Sequence, residues 1–203
     1  MIVEPRERRA QILGHAARLF GDQGYHDTSI ADIIAAAGVA RGTFYLYFES
    51  KRGIFEELLS GLLAELHVRI RTVETEPGSP SARAQLIESI ARVIQLFADE
   101  RHMLAILLKG AAGVDKEFDA KLDEFYAEIT RLMESSLTVG QEMGIVRPCD
   151  TRIAAVVALG VFKEVLRYLL ENEERAADDP AVLAAEVLDI FSRGVLMDGV
   201  SIP

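Results

Sequence analysis

The segment from Thr28 to Arg52, T-S-I-A-D-I-I-A-A-A-G-V-A-R-G-T-F-Y-L-Y-F-E-S-K-R, constrains the fold more than any other stretch of the chain. Thr28 and Ser29 offer N-caps, and Ser29 with Asp32 has the form of a capping box. A short apolar helix, Ile30 to Ala37, follows, and Gly38 breaks it. A second short helix is predicted from about Arg41 to Phe48, and Ser50 caps a longer one. Two short helices across a tight glycine turn are the layout of a helix-turn-helix. Ile30, Ile33 and Ile34 hold the first helix to a core. Phe44 and Phe48, one helical turn apart, share a face and belong to the core as well. Gly42, Thr43, Tyr45, Leu46 and Tyr47 then fall on the other side, with Arg41 at the start. Such a face suits a duplex groove, where Arg reads guanine, apolar groups touch thymine methyls and Tyr hydroxyls reach phosphates. A helical hairpin that packs the same residues against the rest of the protein has the same spacing, and the spacing alone does not choose between the two.

The rest of the chain is helical by periodicity. Ile12, Ala16, Leu19 and Phe20 make one apolar face of a helix from about Arg6 to Gln23, ended by Gly24. Ile54, Leu58, Leu62, Leu66 and Ile70 continue the helix after Ser50. Thr75-Glu76-Pro77-Gly78-Ser79-Pro80 is a linker, with Ser79 as N-cap and Pro80 at the first helical position. Leu86, Ile90, Val93, Ile94 and Phe97 mark the next helix. A short one follows, His102 to Lys109, and then a long one over about Phe118 to Thr138, with Gly140 and Gly144 as terminators. Pro148 and Asp150 open another, to about Glu171, and Asp179-Pro180 opens the last, to about Leu196. The fold class expected is all-α, with about nine helices. The division expected is residues 1–53 and residues 54–203.

Charge separates the same two parts. Residues 1–53 hold seven basic residues (Arg6, Arg8, Arg9, Arg18, Arg41, Lys51, Arg52) and six acidic ones (Glu4, Glu7, Asp22, Asp27, Asp32, Glu49). The totals of 22 basic and 32 acidic residues leave 15 and 26 for the remainder. An acidic body keeps itself off nucleic acid, whereas the N-terminal part carries no such barrier. The single Cys149 excludes an internal disulfide, and the four histidines show no metal-ligand spacing. The charged start lacks a signal peptide's apolar stretch, and the longest apolar run, Ile153 to Phe162, is about half the length that spans a bilayer. A soluble cytoplasmic protein is expected, without membrane contact, metal, cofactor or catalytic residues. Glu56-Glu57 and Glu173-Glu174 read as solvated helix faces, and His102 as a core or pocket residue rather than a catalytic base.

The first fifty-odd residues resemble the TetR/AcrR family of bacterial transcriptional regulators. The resemblance is carried by Ile12, Ala16, Leu19 and Phe20, Gly24-Tyr25, Thr28-Ser29-Ile30 with Ile33, Ala37-Gly38-Val39, Gly42-Thr43-Phe44-Tyr45-Leu46-Tyr47-Phe48 and Ser50-Lys51. One departure is Ala40, where the family usually has the Ser or Thr that caps the reading helix. The resemblance implies a three-helix DNA-binding domain whose third helix enters the major groove of a palindromic operator. It places Arg41, Gly42 and Tyr45, with Leu46, near bases, and Thr28, Ser29, Thr43, Tyr47 and Lys51 at phosphates. It also implies a C-terminal helical domain that dimerises through the last two helices and encloses a small-molecule effector.

Two features bear on that second domain. The run 153–162 is apolar around its full circumference, so one face can enter the chain's own core while the other needs a second cover. Val187, Leu188, Phe191 and Val195 form a further apolar face for a homodimer. For an effector, the candidates are Phe97, His102, Met103, Ile106, Phe125 and Tyr126, with Ile129, Met133, Phe162, Leu166 and Tyr168. Met and aromatic residues with a few polar tips suit a mainly apolar ligand such as a lipid, an acyl thioester or a drug. The function expected is a ligand-released repressor. An activator of the same fold, or a helical ligand-binding or scaffold protein that leaves DNA alone, are the alternatives.

Overall fold

The computed structural model describes residues 4–71, 73–109, 116–176 and 178–195. Its helices are α1 (Pro5–Gln23), α2 (Ile30–Ala37), α3 (Arg41–Tyr45), α4 (Lys51–Arg69), α5 (Ala82–Asp99), α6 (Arg101–Lys109), α7 (Lys116–Glu142), α8 (Thr151–Glu171), the single turn α9 (Glu173–Ala176) and α10 (Pro180–Val195). The fold is all-α, nine helices and one short turn among the described residues. No described helix is long and apolar enough to cross a membrane.

Local chemistry sets most of the ends. Pro5 stands in the first turn of α1, where its missing N–H costs nothing. The Ser29 hydroxyl accepts the Asp32 amide while the Asp32 carboxylate accepts the Ser29 amide, the reciprocal box that starts α2. Gly38, at φ 62°, takes the left-handed conformation that ends α2 and turns the chain into α3. Asp150 caps α8 through the Ile153 amide, and Asp179 accepts the Ala181 amide at the start of α10. Two expectations shift. The cap of α5 is Ser81, whose hydroxyl accepts the Ala84 amide, rather than Ser79. Gln85 folds back onto the carbonyls of Glu74 and Pro80 and keeps residues 79–80 in the linker. α7 runs on through Gly140, which is no terminator: a Cβ there would stand 2.7 Å from Val146 Cγ2, and the buried Val146 seats on it.

The chain forms two compact units. Unit 1 comprises residues 1–64 and 100–125, so α6 and the start of α7 pack with the N-terminal helices. Ile12, Ala16, Phe20, Ile33, Phe44, Ile54 and Phe55 are its most deeply buried apolar residues. Unit 2 comprises residues 65–99 and 126–203. Ile94 of α5, Leu169 of α8, and Leu183 and Ala184 of α10 form a cluster there, with Phe162 and Val165 against it. Packing therefore groups the chain differently from a functional boundary at residue 53.

Candidate DNA-binding face and effector region

α3 is anchored by two rings. Phe44 is fully buried and Phe48 nearly so, with centroids 6.1 Å apart. Helical geometry ends at Tyr45, earlier than the expected Phe48, although the Phe48 amide still bonds the Phe44 carbonyl. Ala40 supplies no side-chain cap. On the opposite side stand Arg41 and Gly42, both exposed, Tyr45 at 44% and Leu46 at 82%. The Arg41 guanidinium lies 5.9 Å from the Tyr45 ring centroid. Thr43 and Tyr47 are half-buried beside them. An apolar side chain as exposed as Leu46 costs hydration unless a partner covers it.

Three expected phosphate contacts are already engaged. Thr28 is 1% exposed, and its hydroxyl donates to the Gly24 carbonyl and accepts from Gln23. In this conformation it faces inward and closes the turn before α2. The Ser29 hydroxyl donates to Asp32 Oδ2 at 2.6 Å, and this bond, with that of the Ser29 amide, holds the Asp32 carboxyl below the usual carboxylate range. Lys51 Nζ donates to the carbonyls of Tyr25 (2.7 Å), Thr28 (2.9 Å) and His26 (3.3 Å) and lies 4.3 Å from the Tyr25 ring centroid. Its donors thus meet three main-chain carbonyls.

Two further residues place α3 and do not stand out in the sequence. Arg9 of α1 forks onto the Glu57 carboxylate of α4, donates to the Tyr47 carbonyl at 3.0 Å and covers the Phe48 ring at 4.6 Å. That single guanidinium joins α1, the end of α3 and α4. Gln11 donates to the Ala37 carbonyl at 3.0 Å and holds the end of α2. A signal for Arg9 existed only as a cation one turn before the first buried position, Ile12.

The effector candidates divide between the units. In unit 1, Met103, Ile106 and Phe125 are buried. His102 is half-exposed, with Nδ1 3.1 Å from Asp22 Oδ1, a contact between α6 and α1. In unit 2, Phe97, Ile129 and Leu166 are buried, while Tyr126, Met133 and Phe162 are half-buried. The Lys163 ammonium lies 4.0 Å from the Tyr126 ring centroid. Burial pushes the Tyr126 phenol up to about 12, with Arg167 opposing. Tyr168 is 51% exposed and belongs to the outer face of α8 rather than to an interior.

That outer face is apolar. Ile153, Val156, Val157 and Val161 are exposed at helical spacing, while Ala154 and Ala155 of the same run are buried. On α10 the exposed apolar residues are Val182 and Ile190. Leu188, expected on the outer face, is buried in the chain's own core, and Val187 and Phe191 are half-buried. The side chain of Val195 lies outside the described residues.

The model of the bacterial regulatory proteins of the tetR family matches residues 12–58, the stretch from the first buried position of α1 into α4. Over that stretch the chain carries the TetR-family domain. Likeness to known regulators extends over most of the chain. It is 26% identical over 200 residues to the uncharacterised HTH-type transcriptional regulator YdgC of Bacillus subtilis (strain 168), with 95% of each chain covered. It is 23% identical over 193 residues to the fatty acid metabolism regulator protein of the same organism, covering 95% of this chain and 97% of that one. The crystal structure of FadR from Bacillus subtilis in complex with stearoyl-CoA has the same fold, with a TM-score of 0.72 at 24% identity over 91% of this chain and 98% of that one. The matched stretch contains α2 and α3, and the protein is a DNA-binding transcription regulator.

Proposed function

We propose that the chain is a homodimeric repressor that a small, mainly hydrophobic effector releases from a palindromic operator. The observation that carries this reading is the face of α3: Arg41, Gly42, Tyr45 and Leu46 exposed on one side, Phe44 and Phe48 buried on the other. Arg41 and Tyr45 read bases, Leu46 meets a thymine methyl, and Thr43 and Tyr47 hold phosphates. The apolar strip of α8 with Val182 and Ile190 of α10 pairs with a second copy, which gives two reading helices and a two-fold operator.

The effector contacts proposed in unit 2 are Phe97, Tyr126, Ile129, Met133 and Leu166. A long acyl chain fits that lining, and the relatives named for fatty acid metabolism and for stearoyl-CoA support an acyl thioester as the first ligand to try. Release follows when the effector binds more tightly to the dimer whose reading helices do not match the operator spacing.

The test is a gel shift on DNA taken from upstream of the chain's own gene, with and without stearoyl-CoA. A specific shift that the thioester abolishes supports the reading. Absence of any shift favours a helical ligand-binding protein, and transcription that falls when the gene is deleted favours an activator.

A further inference from the structure

Phe118, near the start of α7, is 2% exposed, yet it lies well outside the segment that carries the family pattern. Its ring stacks on Phe55 at 4.4 Å and on Tyr25 at 4.6 Å, with the His26 ring at 5.5 Å. Ion pairs flank it on both sides, Arg52 with Glu117 and Lys121 with Glu56. The Tyr25 ring in turn lies against the Lys51 ammonium, which gathers the carbonyls of residues 25, 26 and 28. Lys51 is the first residue of α4, and Thr28 immediately precedes the cap of α2. One packed series thus runs from Phe118 through Tyr25 and Lys51 to both ends of the α2–α3 pair.

We propose that Phe118 is a positioning residue for DNA binding: its ring, packed against both Tyr25 and Phe55, keeps Tyr25 against the Lys51 ammonium and so fixes the loop that carries Ser29 and the start of α2. Lys51 is part of the same device, tying the two ends of the reading hairpin together from the protein side. Removal of either residue loosens the placement of α2 and α3. Phe118 carries no charge, and Lys51 gives its donors to main-chain carbonyls, so neither loss removes a direct phosphate contact. The proposal rests on α3 being the DNA-reading helix.

The experiment uses the full chain and the duplex it selects from a random-sequence pool. Phe118→Ala, Phe118→Leu, Lys51→Met and Arg41→Ala are titrated with that duplex at several salt concentrations, and amide hydrogen exchange is followed in each free protein. Phe118→Ala should weaken binding about tenfold at every salt concentration, a shift typical of a residue that acts through packed neighbours. Its salt slope should stay parallel to that of the wild type, and so should that of Lys51→Met, because no phosphate contact is lost. Phe118→Leu, which keeps most of the apolar volume, should recover most of the affinity. Amides of residues 25–29 should exchange faster in Phe118→Ala, with those of α5 and α10 unchanged. The proposal is overturned if Phe118→Ala binds like the wild type while Arg41→Ala does not. A Lys51→Met salt slope flattened by about one unit per half-site would also overturn it, since Lys51 would then be a phosphate contact. Exchange that accelerates equally in α10 would reduce Phe118 to a general stabiliser. If Arg41→Ala and Phe118→Ala both bind like the wild type, it is the reading role of α3 that has failed.

Discussion

Gly21 of α1 and His102 of α6 meet backbone to backbone: a Cβ at Gly21 would stand 2.8 Å from both the Cα and the carbonyl oxygen of His102. The obstructing atoms belong to the main chain and cannot swing aside. Gly21→Ala should therefore force α1 and α6 apart and lower stability by about 1–3 kcal/mol, the usual cost of overpacking. Gly14→Ala, on the same helix but with nothing within 4 Å, should instead gain up to about 1 kcal/mol in helix propensity. Thermal melts of the two variants check the contrast, and equal shifts would refute it.

Arg41 is the one cation within α3, and three other cations of the domain have protein partners: Arg9 on Glu57, Arg52 on Glu117 and Lys51 on main-chain carbonyls. Arg41→Ala should cost about 1–3 kcal/mol on the selected duplex and less on one altered at the contacted base. If Arg41→Ala weakened both duplexes equally and flattened the salt slope, Arg41 would be a phosphate contact, and base reading would fall to Tyr45 and Leu46.

Val157 is half-exposed in the single chain and lies mid-strip on α8. Val157→Glu should leave each protomer folded, since water can still reach the new carboxylate. It should break the dimer, where an unpaired buried charge costs several kcal/mol. Sedimentation would show a shift from dimer to monomer with helical circular dichroism retained. A wild type that is monomeric at micromolar concentration would refute the assignment of this face.

Asp32 titrates below the ordinary carboxylate range because the Ser29 hydroxyl, and then the Ser29 amide, bond to its ionised form. A depressed value adds stability above the unfolded-state pKa, and that stability is lost as the pH falls through the folded-state value. In Ser29→Ala the larger bond is gone, so the Asp32 carboxyl should titrate at a higher pH than in the wild type. An NMR titration of that carboxyl decides, and identical curves would contradict the capping box. Because Asp32 is fully exposed, the change should appear in its titration rather than in a large loss of stability.

What could be read from the sequence was what neighbours in sequence decide. The Ser29–Asp32 box, the Gly38 turn, the Phe44–Phe48 anchor and the Asp150 cap each involve residues within four positions of one another. The two-sided character of α8 was legible too, because an all-round apolar run needs two covers. Arg9, Lys51, Thr28 and His102 were not legible in the same way. Their partners lie on other elements or are main-chain carbonyls, and a cation's identity does not say whether it meets a carbonyl, a carboxylate or a phosphate. α10 shows the same limit: its apolar residues were evident, but which of them face outward depends on a rotation that only packing against Ile94 and Leu169 sets.

The grouping of α6 and the start of α7 with the N-terminal helices bears on how such a regulator can be recombined. A graft of residues 1–53 onto a foreign body would carry the reading chemistry of α3 but leave the Tyr25 ring without Phe118 and Phe55, and the Gly21 groove without α6. Exchange of operator specificity between relatives should then succeed by replacing side chains on α3 within the native frame. Swapping whole heads should succeed only where the residues equivalent to 100–125 travel with them.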